Sequence, residues 1–404
     1  MRLAVAWTAI TSLVASVSSR SLHRHNHRSK FVCAFLCSSP NSRSSLTTTT
    51  ASEATTTTTS TRAFRTTTTT TTLNMSSTSK EALLSCPTIP LNNGMKHPAI
   101  GFGTYKVGFI PASASSAVAS SSSSSSATSE PKERTAKECV LDALEVGYRF
   151  LECAEFYGNE HQIGQAIQES GVAREDLFLC SKVWTTTIEQ GPQAVRDQLE
   201  QTLKDLQTPY LDLYCIHWPV PHKHVEAYQT LETLHKEGKI KALGISNYAW
   251  EDYQELKPHI SIKPVINQIE INPFLYRPQT IANFQNEGVV LQSYRSLRDG
   301  KAMQDSTLQE IASHYPPKTV AQLLGRWCVQ HGFVYIPKSV KKERMIENAQ
   351  VFDFEISTED MKVLDSLTTP ETLQTFKALY EKCVNRDTSK DGTMDGVKTT
   401  ITLG

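Results

Sequence analysis

The chain has 404 residues, enough for two average domains or for one large α/β domain with extensions. Its 41 basic and 41 acidic residues cancel, but the charges are distributed unevenly. Residues 1–80 hold nine Lys or Arg and a single acid, Glu53, which leaves a mildly acidic remainder. That remainder shows no clustered basic face, so we expect no binding of nucleic acid.

The first 80 residues are dominated by Ser and Thr, and we expect them to form a disordered extension because they cannot bury enough apolar surface to fold. A start that carries Arg and few acids is typical of an organelle transit peptide, whereas Leu3 to Val17 has the length of a signal-peptide core. The run is too short for stable membrane insertion. We therefore expect import into a plastid or mitochondrion if translation starts at Met1, and a cytoplasmic protein if it starts at Met75.

The first structural signal after this extension is a hairpin. Ile89 to Pro98 contains Asn93-Gly94 between two short arms, which predicts a type I′ turn. Ile100 to Tyr105 follows as a predicted strand. Residues 110–134, with Ser at every position from 120 to 126, are predicted to be a disordered insertion and a passive linker.

From there strands and helices alternate. Further strands are predicted near residues 148, 177, 211, 240, 265, 289 and 333, with amphipathic helices such as Ala194 to Leu206 and Val225 to His235 between them. Eight strands with intervening helices predict a (β/α)8 TIM barrel, whose active site lies at the C-terminal ends of the strands. Reactive side chains stand at or just after three of these ends: Glu152 and Tyr157, Lys182, and His217.

The sequence motifs around these residues are specific to one family. The segments 147–160, 181–184, 212–219 and 336–339 come in the order found in the aldo-keto reductase family, and the chain resembles that family from about Ile89 to about Leu367. The resemblance implies a barrel over residues 86–369 with the hairpin as a cap on its floor. It also implies a C-terminal extension, residues 370–404, near the substrate pocket, although that segment contains no recognisable sequence motif.

The resemblance also implies a reaction, the NADPH-dependent reduction of aldehydes, ketones or aldoses to alcohols by hydride transfer. Tyr157 would be the proton donor, with Lys182 expected to lower the pKa of its phenol. Glu152 would pair with Lys182, and His217 would hold the carbonyl oxygen. The family has Asp where this chain has Glu152, so we expect a working but slowed enzyme, with a catalytically weakened NADPH-binding regulator or scaffold as the alternative. An isomerase or aldolase on the same fold is a weaker rival.

The expected cofactor is inferred from the resemblance, because Gly101-Phe102-Gly103 lacks the third Gly of a Rossmann fingerprint. Two cations, Lys338 and Arg344, stand where a 2′-phosphate would sit, which favours NADP(H) over NAD. Arg295 begins a segment that departs from the Ser-Pro-Leu usual in the family, although a guanidinium would suit a diphosphate. The residues expected to bind the cofactor are Gly103, Thr104, Tyr105, Ser246, Asn247, Gln268, Tyr294, Lys338, Ser339, Arg344 and Asn348.

The substrate is expected to contact His217 and aromatic walls made by Phe156, Trp184 and Trp218, with Tyr105 beside them. A short loop from Val220 to His224 implies an open, unselective pocket mouth. The nine Cys show no metal-ligand spacing, and Cys153, Cys180, Cys215 and Cys328 are predicted to be buried, reduced thiols. We expect no metal and a monomer.

Overall fold

The computed structural model of the protein describes residues 86–108 and 134–385. The predicted extension at residues 1–80, nearly all of the Ser-rich insertion, and residues 386–404 lie outside the described residues.

An antiparallel hairpin opens the described chain. Strand β1 (Thr88–Pro90) pairs with β2 (Lys96–Pro98). The hairpin is as predicted, but the type I′ turn is wrong, because only Gly94 in this turn has a positive φ, 85°. The Asn92 amide explains the difference, since it donates to the carbonyl oxygens of Pro264 (2.9 Å) and Gly288 (3.2 Å) and so ties the turn to the barrel.

Eight parallel strands form the barrel and confirm the predicted fold. They run in sequence order, each paired with the next. The ring closes where the Tyr335 amide donates to the Ala99 carbonyl oxygen and the Gly101 amide donates to the Tyr335 carbonyl oxygen, both at 2.9 Å. The strands are β3 (Phe102–Gly103), β4 (Phe150–Glu152), β5 (Phe178–Val183), β6 (Leu213–Ile216), β7 (Leu243–Ser246), β8 (Ile266–Glu270), β9 (Val290–Tyr294) and β10 (Val334–Tyr335).

Helices cover the outside of the barrel, and their ends follow from local sequence. The first begins at the N-cap Thr135, whose hydroxyl accepts from the Glu138 amide in a capping box, and ends at Gly147 in the left-handed region. The helices are α1 (Ala136–Val146), α2 (Glu160–Ser170), α3 (Thr185–Glu189), α4 (Pro192–Asp205), α5 (His224–Lys236), α6 (Trp250–Leu256), α7 (Pro278–Asn286), α8 (Ser306–Ser313), α9 (Val320–Gln330), α10 (Lys342–Ala349), α11 (Thr358–Asp365) and α12 (Pro370–Asn385).

The apolar core has two layers because parallel strands are buried on both faces. One layer lies between the strands and the helices. The other fills the lower interior of the barrel, and Phe150, Phe178 and Cys180 belong to it. Cys153, Cys180, Cys215 and Cys328 are buried and free, as predicted. The interior is therefore a packed floor with the polar residues above it, toward the C-terminal ends of the strands.

Candidate active site

The strand ends bring the four predicted catalytic residues together. Glu152 is the last residue of β4, Lys182 is the penultimate residue of β5, and His217 follows β6 directly. Tyr157 ends a short 3₁₀ turn, Glu155–Tyr157, between β4 and α2. All four side chains are buried at one end of the barrel.

Three of these side chains form one hydrogen-bonded group. The Lys182 ammonium contacts the Glu152 carboxylate oxygen Oε1 as a buried salt bridge and donates to the Tyr157 hydroxyl oxygen at 3.1 Å. It also donates to the Cys153 carbonyl oxygen at 2.9 Å. The Tyr157 hydroxyl donates to the same Glu152 oxygen at 2.9 Å. Glu152 thus reaches both partners at once, despite the methylene that distinguishes it from Asp.

Burial dominates the electrostatics of this group. Desolvation and then the Glu152 charge raise the pKa of the Tyr157 phenol well above its usual value of 10, and Lys182 opposes them without reversing the shift. Lys182 lowers the phenol pKa, as predicted, but the predicted net decrease is wrong because burial and the Glu152 charge outweigh it. The Lys182 pKa is raised well above 10.5, because the attraction of Glu152 and Tyr157 outweighs burial, the largest single influence, which lowers it. At neutral pH the group holds a protonated phenol beside an ammonium.

Two supporting residues were not assigned roles from the sequence. The Glu155 carboxylate accepts from the Trp184 amide at 2.6 Å and from the Thr187 hydroxyl at 2.5 Å, so it joins the turn that carries Tyr157 to the end of β5. The Asn159 amide donates to the carbonyl oxygens of Thr104 (3.0 Å) and Val107 (3.1 Å) and joins the same turn to the end of β3. Both lie inside the sequence motif at 147–160, and this position was the signal that could have identified them.

Aromatic rings stand above the group. Phe156 stacks on Trp184 with ring centroids 3.9 Å apart, and Trp184 meets the His217 ring edge-on at 4.8 Å. The Tyr157 and His217 rings are 5.9 Å apart, and Tyr105 lies 5.1 Å from Tyr157. These rings form an apolar wall beside the polar group, and the His217 ring contacts both Tyr157 and Trp184.

Helix α12 covers this wall and overturns the predicted open mouth. Its Tyr380 and Val384 pack with Trp184 and Trp218 in one buried cluster. The Tyr380 hydroxyl donates to Asp252 Oδ2 at 2.6 Å and so fastens α12 to α6. The loop after β6 is short, as predicted, but a helix far along the chain closes the space that this short loop leaves.

A second polar group adjoins the first at the ends of β7, β8 and β9. The Tyr294 hydroxyl donates to Asn247 Oδ1 at 2.7 Å, and the Asn247 amide donates to the His217 carbonyl oxygen at 3.0 Å. The Ser246 hydroxyl donates to the Gln268 carbonyl oxygen at 2.9 Å. Asn247 has a positive φ of 60°, which Asn tolerates better than most residues. Four of the residues expected to bind the cofactor, Ser246, Asn247, Gln268 and Tyr294, are therefore contiguous with the catalytic group.

The other predicted cofactor residues lie at both sides of the closure between β3 and β10. At Gly103 a Cβ would come within 3.3 Å of Ile336 and 3.6 Å of the Pro337 carbonyl oxygen, so the backbone there is closely approached. The Thr104 hydroxyl donates to the Glu152 carbonyl oxygen at 2.9 Å, a structural tie rather than an open contact. After β10, Ser339 and Asn348 are buried, whereas Lys338 and Arg344 are exposed.

Arg295 is held by carboxylates. It has a positive φ of 50° and forms salt bridges with Glu270 (2.9 Å) and Asp299 (3.0 Å). Its guanidinium therefore braces the loop after β9 in this structure. That it suits a diphosphate stays a prediction.

Within residues 86–108 and 134–385, no helix is long and apolar enough to cross a membrane. No three His, Cys, Asp or Glu side chains in the same ranges cluster in a way that could hold a metal ion.

Known proteins resemble this chain over most of the barrel. The family model described as "Aldo/keto reductase family" matches residues 120–369. Glyoxal reductase of Bacillus subtilis (strain 168) is 39% identical over 284 residues, which are 70% of this chain and 94% of that protein. Aldo-keto reductase family 1 member A1 of Sus scrofa is 34% identical over 319 residues, covering 70% of this chain and 90% of that protein.

Solved structures resemble the barrel as well. The aldose reductase from Schistosoma japonicum superposes with a TM-score of 0.62 at 32% identity, covering 76% of this chain and all of that one. The aldo-keto reductase from Bombyx mori, solved in complex with NADP, gives a TM-score of 0.60 at 28% identity, with 70% of this chain and 93% of that chain covered. Each of these relatives is thus covered over nearly its full length, and the match covers 70–76% of this chain.

Proposed function

This chain belongs to the aldo-keto reductase family, and from that premise we propose that it reduces small aldehydes, ketones or aldoses to alcohols with NADPH. The observation that carries the proposal is the buried contact of Tyr157, Lys182 and Glu152 beneath an aromatic wall. A proton donor beside a cation is what a carbonyl oxygen needs when it gains negative charge.

The residues present fit NADP(H). Ser246, Asn247 and Gln268 offer hydroxyl and amide groups next to the Tyr294 ring, which suits a nicotinamide. Lys338 and Arg344 are exposed cations beyond β10, which suits the 2′-phosphate. Bound NADPH would supply the hydride.

The protein supplies the proton. The Tyr157 phenol stays protonated at neutral pH and so has a proton to give. In the proposed step its hydroxyl turns from Glu152 toward the carbonyl oxygen, and the His217 ring, which packs against Tyr157, holds that oxygen. As the proton leaves, the Lys182 ammonium at 3.1 Å stabilises the phenolate. Aromatic walls at Phe156, Trp184 and Trp218 exclude water and favour an apolar substrate.

The alternative of a non-catalytic regulator rested on the replacement of Asp by Glu152. Glu152 still contacts both Lys182 and Tyr157, so its extra length does not separate the group. Neither the geometry nor the relatives support the alternative.

The experiment is NADPH oxidation, followed by absorbance, with a panel of small aldehydes and aldoses. We expect Tyr157→Phe to bind NADPH like the wild type and to lose at least about a hundredfold in kcat, the usual contribution of a general acid. Tyr210→Phe, which makes the same change at the opposite end of the barrel, just before β6, is the control and should leave kcat unchanged. A Tyr157→Phe protein with wild-type turnover would overturn the assignment of the proton donor.

A further inference from the structure

A row of buried polar side chains descends through the barrel from the proposed nicotinamide site to the hairpin on the floor. Gln268 on β8 donates from Nε2 to Gln292 Oε1 at 2.9 Å. Gln292 on β9 and the ring nitrogen Nε2 of His97 on β2 are 2.7 Å apart. The other ring nitrogen, Nδ1, lies 2.7 Å from the Pro98 carbonyl oxygen. All three side chains are almost fully buried.

The hydrogen bonds in this row can run in one direction only. A carbonyl oxygen can only accept, so the proton on the His97 ring is at Nδ1. Burial lowers the pKa of His97 to about 4, so the ring is neutral near pH 7 and Nε2 is an acceptor. Gln292 must then turn its NH₂ group toward His97 and its Oε1 toward Gln268. Gln268 in turn must donate from its NH₂ group, which leaves its Oε1 to accept from elsewhere.

Packing keeps the starting point of this row fixed. The His97 ring lies edge-on to Phe150 with centroids 4.6 Å apart and tilted against Phe178 at 4.2 Å. His97 also pairs with Ile89 in the hairpin. The ring therefore cannot turn over without disrupting the floor of the barrel.

The upper end of the row lies among the residues proposed to hold the nicotinamide. The Gln268 backbone carbonyl accepts from the Ser246 hydroxyl and from the backbone N–H of Asn247, both at 2.9 Å. We propose that His97 and Gln292 are positioning residues that hold the Gln268 side-chain oxygen toward the nicotinamide, so that the site recognises the amino group of its carboxamide. This inference rests on the proposed function.

The direction of the row matters because a glutamine amide has two nearly isosteric orientations. If Gln268 turned over, it would present an NH₂ group to the carboxamide NH₂, and a favourable hydrogen bond would become a contact between two donors. His97, on the floor of the barrel, selects one orientation because its Nε2 accepts from Gln292, which in turn accepts from Gln268. Without an acceptor at the His97 position, nothing in the row selects one orientation over the other.

The test compares two dinucleotides that differ only at the recognised group. NADP⁺ carries the carboxamide, whereas 3-acetylpyridine adenine dinucleotide phosphate carries a methyl ketone and has no amino group. Binding of each to the full-length protein is measured by isothermal titration calorimetry. The fragment 2′,5′-ADP, which has no nicotinamide, reports the adenosine end alone.

His97→Leu and Gln292→Leu remove the directing groups. We expect both to reduce the preference for NADP⁺ over the acetylpyridine analogue by about fivefold, the worth of one hydrogen bond, with affinity for 2′,5′-ADP unchanged. Gln292→Glu should keep the preference, because one carboxyl oxygen still accepts from Gln268 while the other exchanges a proton with His97. Phe178→Leu should also keep it, because Phe150 still packs against the His97 ring and both ring nitrogens keep their hydrogen-bond partners.

An unchanged preference in His97→Leu and Gln292→Leu would overturn the inference, and so would a wild type that does not distinguish the two dinucleotides. If His97→Leu does not fold, the contrast between Gln292→Leu and Gln292→Glu decides the matter. A folded wild type that binds none of the three ligands would instead overturn the proposed function.

Discussion

Glu152 shows how far a single residue can be interpreted from sequence. Its place at the end of a strand and its pairing with Lys182 were predictable, since both follow from strand order. Its contact with the Tyr157 hydroxyl was not predictable, because this contact depends on the extra methylene and on the exact path of the 3₁₀ turn. The raised pKa of Tyr157 was missed for the same reason, since burial of the phenol depends on tertiary packing.

This contact leads to a prediction for Glu152→Asp. A carboxylate shorter by one C–C bond, about 1.5 Å, draws back from both partners. We expect the ion pair with Lys182 to persist at the longer distance and the hydrogen bond from the Tyr157 hydroxyl to be lost, because a hydrogen bond weakens more steeply with distance than an ion pair. The proton donor then has no ground-state hydrogen bond to break, and we expect kcat to rise about threefold to tenfold with NADPH affinity unchanged. Steady-state kinetics and NADPH titration measure both quantities.

Glu152→Gln is the control for this change, because it keeps the length and removes the charge. It should lower kcat, since Lys182 loses its counter-ion. A decrease in kcat for Glu152→Asp would show that the contact between Glu152 and Tyr157 helps catalysis.

Glu160 is a second buried carboxylate, held by the hydroxyls of Ser181 (2.6 Å) and Thr202 (3.0 Å). Burial raises its pKa from 4.5 to about 7. The folded protein therefore binds more protons than the unfolded chain between these values, so Glu160 lowers stability as pH rises through this window, with no further loss above about 7.

Glu160→Gln removes this titration, and both hydroxyls can turn to suit the amide. Relative to the variant, we expect the wild type to lose on the order of 2 kcal/mol of unfolding free energy between about pH 5 and about pH 8. Urea denaturation at the two pH values measures it. Parallel pH dependence of the two proteins would contradict the prediction.

At the scale of elements, the barrel strands and the hairpin were predictable because hydrophobic runs and turn residues mark them locally. Helix α12 was not predicted, because its 16 residues match no recognisable motif. Its role depends on Tyr380 and Val384 meeting Trp218, whose position in sequence is remote from both. The predicted open pocket failed for this reason.

The tether between α12 and α6 gives the prediction at this scale. Tyr380→Phe removes the hydroxyl that donates to Asp252 and keeps the ring against Trp218. We expect a loss of about 1–2 kcal/mol in docking of the helix, which appears as a several-fold higher KM with a similar kcat. Leu379→Ala is the control, because Leu379 precedes Tyr380 on the same helix and is 38% exposed, and it should leave KM and kcat unchanged. Equal effects of the two substitutions would indicate that the tether does not matter.

At the scale of the molecule, every residue proposed for catalysis lies within residues 86–385, and import into an organelle from Met1 stays a prediction. We predict that a protein beginning at Met75 has the kcat/KM of the full chain and a thermal midpoint within about 2 °C of it, because the barrel and its floor are complete. Turnover assays and calorimetry on both proteins test this. A midpoint several degrees lower would show that residues 1–74 stabilise the barrel.

The barrel closes by hydrogen bonds between the first strand and the last, at Ala99, Gly101 and Tyr335. During synthesis β10 leaves the ribosome after nearly all of the barrel, so the ring stays open until late in translation. The proposed cofactor residues Gly103 and Lys338 lie at opposite sides of this closure. A nascent chain thus brings the two sides of the proposed cofactor site together only when its barrel can close, so cofactor capture would report closure of the ring.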